Sequence, residues 1–253
     1  MRRWLAVALA CLALGSCAKP APQKSSEVVV AAAASLRGVL PEIASSYEKT
    51  HPGTRITATF GASGELRQQV VAGAPIDVVA FAGSAPVDDL VARGLLDPST
   101  RRVIATNALV LIGPKGCPRV TFATLARVPP GDKIAIGDPR SVPAGQYAKA
   151  ALERLAEWDA LESRLVYGSD VSAVLAYARH GEVAAAVVYK TELHGVSDVD
   201  LLDELPDGIA PRAEVVVALV AGSREKEAAA SFLADLEGAP ARKALDAYGF
   251  GPP

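Results

Sequence analysis

The segment EVVVAAAASLRGVLPEIASSYEKTHPG, residues 27–53, decides the fold. Glu27 to Ala34 is apolar almost without alternation. A strand of this kind is buried on both faces, as in a parallel sheet covered by helices. From Ser35 to Thr50 the period changes. Leu36, Val39, Leu40, Ile43, Ala44 and Tyr47 fall on one helical face, and His51-Pro52-Gly53 ends the run. The segment therefore reads as one strand–helix unit.

The same grammar continues along the chain. Strands are expected at Thr54–Phe60, Ile76–Phe81, Asn107–Ile112, Lys133–Ile136, Leu165–Tyr167, Val183–Tyr189, Val199–Leu202 and 214–221. Helices are expected from Ser63 to Val71, over 85–93 with Ser84 as cap, from Ala144 to Glu157, from Asp170 to Arg179, and over 223–237 and 239–248. Repeated strand–helix units imply parallel sheets with helices on both faces. About 225 ordered residues suit two similar α/β lobes better than one very large sheet. The expected division is 27–106 with 210–253 for the first lobe and 107–209 for the second.

Residues 1–16 read differently. Arg2 and Arg3 precede an apolar run, Trp4 to Leu14, that is too short to span a bilayer but has the form of an export signal. Leu14-Gly15-Ser16-Cys17 resembles the bacterial lipobox, in which the cysteine is acylated after cleavage before it. Cys17 is thus the expected lipidation site, and residues 17–26 a flexible tether. The expectation is a periplasmic or cell-surface protein anchored to a membrane by lipid.

Composition narrows the function. The 253 residues carry a formal net charge of −2, or −4 after removal of residues 1–16 with their two arginines. Nothing basic marks a nucleic-acid partner. His51, His180 and His194 lack partners at metal-ligand spacing, and Cys117 has no cysteine left to pair with after Cys11 and Cys17 are accounted for. No nucleophile elbow, P-loop or dinucleotide fingerprint is present. An enzyme is not expected, nor a cofactor.

What remains is the placing of small residues at helix starts. Ser35 and Ser63 follow strands, Ala144 and Val171 lie in first turns, and Tyr189 ends a strand. Taken singly, the serines read as helix caps and Tyr189 as a packing residue. Taken together, helix N-termini with free N–H groups gather at the carboxyl ends of strands and can hold an anion with neutral groups.

Several motifs in order resemble those of periplasmic molybdate-binding proteins: Ala31–Leu36, Phe60–Gly64 with Leu66, Ala72–Asp77, Gly137–Ala148, Ser169–Val171, Val187–Tyr189 and Tyr248–Phe250. The resemblance spans residues 28–250. It implies a type II periplasmic-binding fold with the ligand between the lobes, no enzymatic activity and no metal ligated directly. It implies that Ser35, Ser63, Ala144, Val171 and Tyr189 contact the oxygens of molybdate or tungstate, and that a monomer delivers the anion to the permease subunits of an ABC importer. Sulfate, phosphate or another small anion is the alternative ligand on the same fold. Gly64 and Glu65 depart from the family, where hydroxyl residues are frequent. Arg37 is expected to point outward or pair with a carboxylate, and Asp170 to cap its own helix.

Overall fold

A computed structural model describes residues 25–206, 208–209 and 213–253. Cys17, the export signal and most of the tether lie outside the described residues; Ser26, assigned to the tether, already begins the first strand. Among the described residues no helix is long and apolar enough to cross a membrane.

Two five-stranded sheets organise the chain. The first contains β1 (Ser26–Ala33), β2 (Thr54–Gly61), β3 (Val78–Ala82), β4 (Arg102–Asn107) and β10 (Ala213–Leu219), in the order β2-β1-β3-β10-β4. The second contains β5 (Leu109–Pro114), β6 (Ile134–Gly137), β7 (Leu165–Gly168), β8 (Ala185–Tyr189) and β9 (Val199–Glu204), in the order β7-β6-β8-β5-β9. The topologies match strand for strand. In each sheet three parallel strands form one side. The fourth runs against its neighbours: β10 is antiparallel to β3 and β4, and β5 to β8 and β9.

The expectation of parallel sheets is corrected here: both are mixed. The physical reason is connectivity. β4 and β5 carry the chain from one sheet to the other through Ala108 alone, and β10 brings it back, so these strands are not joined to their neighbours by helical crossovers. The single strand expected at Asn107–Ile112 is corrected as well: β5 runs from Leu109 to Pro114, and Arg102–Asn107 forms a separate strand.

Helices cover both faces of each sheet. Val28, Val30 and Ala32 of β1 pack toward α1 (Leu40–Thr50), α7 (Lys226–Leu236) and α8 (Ala239–Ala247), through Leu40, Ile43, Phe232 and Leu245. Ala31, with Val79 and Phe81 of β3, packs on the opposite side against Leu66 and Val70 of α2 (Ser63–Val71) and Val87 and Leu90 of α3 (Ser84–Ala92). This accounts for the apolar run of β1, since neither face reaches water. In the second sheet α4 (Pro143–Arg154) and the short α5 (Trp158–Leu161) lie on one face and α6 (Val171–Arg179) on the other.

The expected helix from Ser35 to Thr50 is interrupted. Ala34–Leu36 is a single 3-10 turn, and α1 starts only at Leu40 with Pro41 in its first turn. Proline lacks the N–H a continuing helix would need and suits a first turn, so the break is local chemistry. It leaves Ser35 in a tight turn at the end of β1.

Candidate oxyanion site

Each of the three parallel strands in each sheet ends at the same place, the cleft between the lobes. A small cavity lies there, walled by Ala33–Ser35 after β1, Gly61–Ser63 after β2, Ala82 of β3, Val142–Ala144 at the start of α4, Asp170–Val171 at the start of α6, and Tyr189 at the end of β8. Ser35, Ser63, Ala144, Val171 and Tyr189, singled out in the sequence, all line it. The space open to the centre of a water-sized sphere is about 10 Å³. Adding the water radius gives a hole of roughly 2.7 Å radius. That is the scale of a single compact ion.

Three helices begin at this cavity. Ser63 and Val171 are the first residues of α2 and α6, and Ala144 the second of α4. N–H groups in a first turn have no carbonyl partner within the helix and carry the positive end of its dipole. Neither α2 nor α4 has a side-chain cap to occupy them. The close seating of α4 depends on glycine: a Cβ on Gly145 would stand 2.0 Å from the carbonyl oxygen of Gly137 at the end of β6. Only without it can the helix start lie against the strand and bring Ala144 to the cavity wall.

The serine-cap expectation is corrected at both serines. Ser35 and Ser63 make no capping bond. The Ser63 hydroxyl instead accepts the N–H of Ala82 at 3.0 Å, which leaves its own proton to donate. The Ser35 and Tyr189 hydroxyls are buried with no hydrogen-bond partner in the protein. A buried hydroxyl without a partner costs about 1–3 kcal/mol, so two facing one cavity point to a guest that accepts from them. Burial pushes the Tyr189 phenol well above its ordinary range, with the neighbouring Tyr147 and Glu192 adding to the effect, so Tyr189 remains a donor at neutral pH.

Among the described residues no lysine, arginine or histidine lines the cavity, and its one carboxylate is that of Asp170. Asp170 caps α6, its Oδ1 accepting the N–H of Ala173 at 2.8 Å, as the sequence suggested. Its Oδ2 lies 3.9 Å from the Arg37 guanidinium. Arg37 is half exposed and rests over the Phe60 ring at 5.2 Å, so it pairs with a carboxylate at the rim, as expected. Among the described residues no group of three or more His, Cys, Asp or Glu could hold a metal ion.

The sequence reading missed Glu192. It sits beside the cavity in a second pocket with Ser35, Arg37, Ser172 and His194, and accepts the Ser172 hydroxyl at 3.3 Å. Burial pushes its carboxyl up to about 7, the Ser172 hydrogen bond opposing; Asp170 raises it and Arg37 lowers it. No motif pointed to it, because its state depends on residues distant in sequence.

The family model for bacterial extracellular solute-binding proteins matches residues 28–251. The chain belongs to that family. Its members are solute-binding proteins that act outside the cell. This solute-binding protein is 34% identical over 230 residues to a putative ABC transporter substrate-binding lipoprotein of Bacillus subtilis, covering 90% of this chain and 87% of that one. It is 30% identical over 254 residues to the molybdate-binding protein ModA of Escherichia coli, covering 98% of both. The solved periplasmic molybdate-binding protein of Azotobacter vinelandii superposes with a TM-score of 0.79 at 22% identity, over 89% of this chain and 99% of that one. That likeness shows the fold: the solute-binding protein has the two-lobed type II architecture.

Proposed function

We propose that this protein captures molybdate, and tungstate with it, for import by an ABC transporter. The observation that carries the reading is the donor set. Two buried partnerless hydroxyls, the free proton of Ser63 and three helix starts converge on a cavity lined by no cation. Such a site favours an ion that only accepts hydrogen bonds. A fully ionised tetrahedral dianion meets that condition, whereas a protonated oxyacid brings an O–H of its own. Burying the charge is tolerable when every oxygen is hydrogen-bonded. Ser35, Ser63 and Tyr189 would donate through hydroxyls, and Ala144 and Val171 through backbone N–H. The size of the hole selects for ion radius, and the named relative from Escherichia coli supports molybdate as the ion.

In this reading the lobes comprise 27–106 with 210–253, and 107–209. The protein works as a monomer, is anchored through acylated Cys17 at the periplasmic or cell-surface side of a membrane, and presents the closed lobes to permease subunits. The lipoprotein relative supports the anchor.

Tyr189→Phe is the test. Loss of one charge-assisted hydrogen bond, about 1.5–3 kcal/mol, should weaken molybdate binding by roughly 10- to 150-fold in calorimetry. Thermal stability without ligand should hold or rise, because the change deletes a buried hydroxyl that has no partner in the protein. Folded wild type that binds neither molybdate nor tungstate, or that binds sulfate or phosphate equally well, would overturn the assignment.

A further inference from the structure

Arg37 closes the 3-10 turn that carries Ser35: its N–H donates to the Ala34 carbonyl at 3.0 Å. Its guanidinium lies over the Phe60 ring of β2, 5.2 Å from the centroid. The cation is thus held to the first sheet by contacts on that side of the cleft. Asp170 is fixed as independently on the other side. Its Oδ1 accepts the N–H of Ala173 at 2.8 Å, which ties the carboxylate to the start of α6 and, through Val174 and Leu175, to the second sheet. The remaining oxygen, Oδ2, faces the guanidinium at 3.9 Å. That is too far for a hydrogen bond, so the attraction acts through space.

Each partner is anchored to its own lobe, and the pair holds only while the lobes are closed. The chain crosses between the sheets at Ala108, and opening about that crossing carries Arg37 away from Asp170. The pair bears on the anion because Asp170 is part of the cavity wall and Arg37 is not. A dianion in the cavity meets a carboxylate of its own sign. With the lobes closed, the guanidinium offsets that charge from outside. With the lobes parted, the carboxylate stays beside Val171 and is unopposed. Glu192 is the other acid close to Arg37, in the neighbouring pocket, so a test has to separate the two.

On the reading of the cavity as an oxyanion site, we infer that Arg37 is a closure-dependent counter-charge to Asp170. It lowers the repulsion on the bound anion while the cleft is shut and withdraws when the cleft opens, so that opening itself promotes release. Arg37 need not touch the ion to do this. A cation that acts in the closed state slows dissociation, whereas one that acts in the open state, by drawing the anion in, speeds association.

The experiment compares wild type, Arg37→Gln, Arg37→Lys, Asp170→Asn and the double variant Arg37→Gln with Asp170→Asn at low ionic strength. Calorimetry with molybdate reads affinity, and a chase of radiolabelled molybdate by the unlabelled ion reads dissociation. Arg37→Gln should bind roughly three- to fivefold more weakly, with faster dissociation accounting for the loss. Arg37→Lys, which keeps the charge, should recover most of it. On the Asp170→Asn background the glutamine should cost clearly less, the mark of two residues that act as a pair. Four results overturn the inference: Arg37→Gln that binds as wild type does; an equal loss on both backgrounds, which would place the effect on Glu192 or on the ion directly; a loss carried by association; and a loss matched by a lower melting temperature of the unliganded protein. Wild type that ignores molybdate but binds sulfate or phosphate overturns the functional reading alone, and that anion then serves as the probe for the same comparison. Wild type that binds none of these anions, tungstate included, overturns both.

Discussion

Replacing Glu192 by Gln should make the protein more stable at pH 8 and leave it unchanged near pH 4.5. The folded carboxyl titrates at about 7 against an ordinary 4.5, chiefly because burial penalises its charge. Between those two values the folded state holds a proton that the unfolded state has released. Stability from this group is thus fully present below about 4.5, falls as pH rises through the window, and levels off above 7. One pKa unit corresponds to about 1.4 kcal/mol, so the window amounts to about 3 kcal/mol at most, with partial access to water reducing it. Glutamine has the shape of the protonated acid and no charge to strand. Urea unfolding of both proteins at pH 4.5, 5.5, 6.5, 7.5 and 8 measures the difference at equal m-value. A difference that grows by about 2–3 kcal/mol across this range is expected. A difference that stays constant with pH would refute the argument, because it would mean that folding does not raise the Glu192 carboxyl above its unfolded value. The carboxyl also borders the anion cavity through Ser35. A bound dianion should favour its protonated form further, so molybdate affinity should fall as pH rises through 7 in wild type and not in Glu192→Gln.

Three more outcomes follow from two residues at helix ends. Asp170→Asn keeps the cap on Ala173 and removes a negative charge from the cavity wall, so titration should show molybdate affinity rising several-fold, about 1 kcal/mol. Asp170→Ala should in addition cost about 1 kcal/mol of stability in urea unfolding through the lost cap. Ala156 follows α4 with φ of +58°, and the next N–H, that of Glu157, bonds back to Leu152 at 2.9 Å. This is the position where a helix end prefers glycine, so Ala156→Gly should raise stability by roughly 1 kcal/mol in the same assay.

The elements that the sequence made legible are those whose boundaries are set by near neighbours. Ser63–Val71 is helical over the whole expected span, and the β1 run ends where the apolar residues give way to Ser35. Elements shaped by distant partners were harder to read. The stretch from Val103 to Ile112 is nearly continuous in apolar character, and only pairing with β10 on one side of Ala108 and with β8 and β9 on the other divides it into β4 and β5. The break after Arg154 was missed because alanine, not glycine, takes the left-handed turn. At the cavity, the positions of Ser35, Ser63, Ala144, Val171 and Tyr189 at element ends could be read along the chain. The orientation of the Ser63 hydroxyl could not, since it depends on the N–H of Ala82 in another strand. Glu192 carries no sign in Lys190-Thr191-Glu192-Leu193 of the burial that governs it.

The place of β10 has a consequence for the order in which the molecule is completed. It lies between β3 and β4, with Val215 opposite Ala82 and Ala105. The second sheet is drawn from one continuous stretch, β5 to β9. The first sheet stays split in two until a strand from more than a hundred residues further on is inserted between its halves. During synthesis the later-starting half of the protein can therefore finish first, since β9 ends at Glu204 and β10 begins only at Ala213. The earlier half remains an open sheet with β3 and β4 lacking their shared neighbour until the chain has emerged beyond Leu219. A chain built in this way resists premature completion.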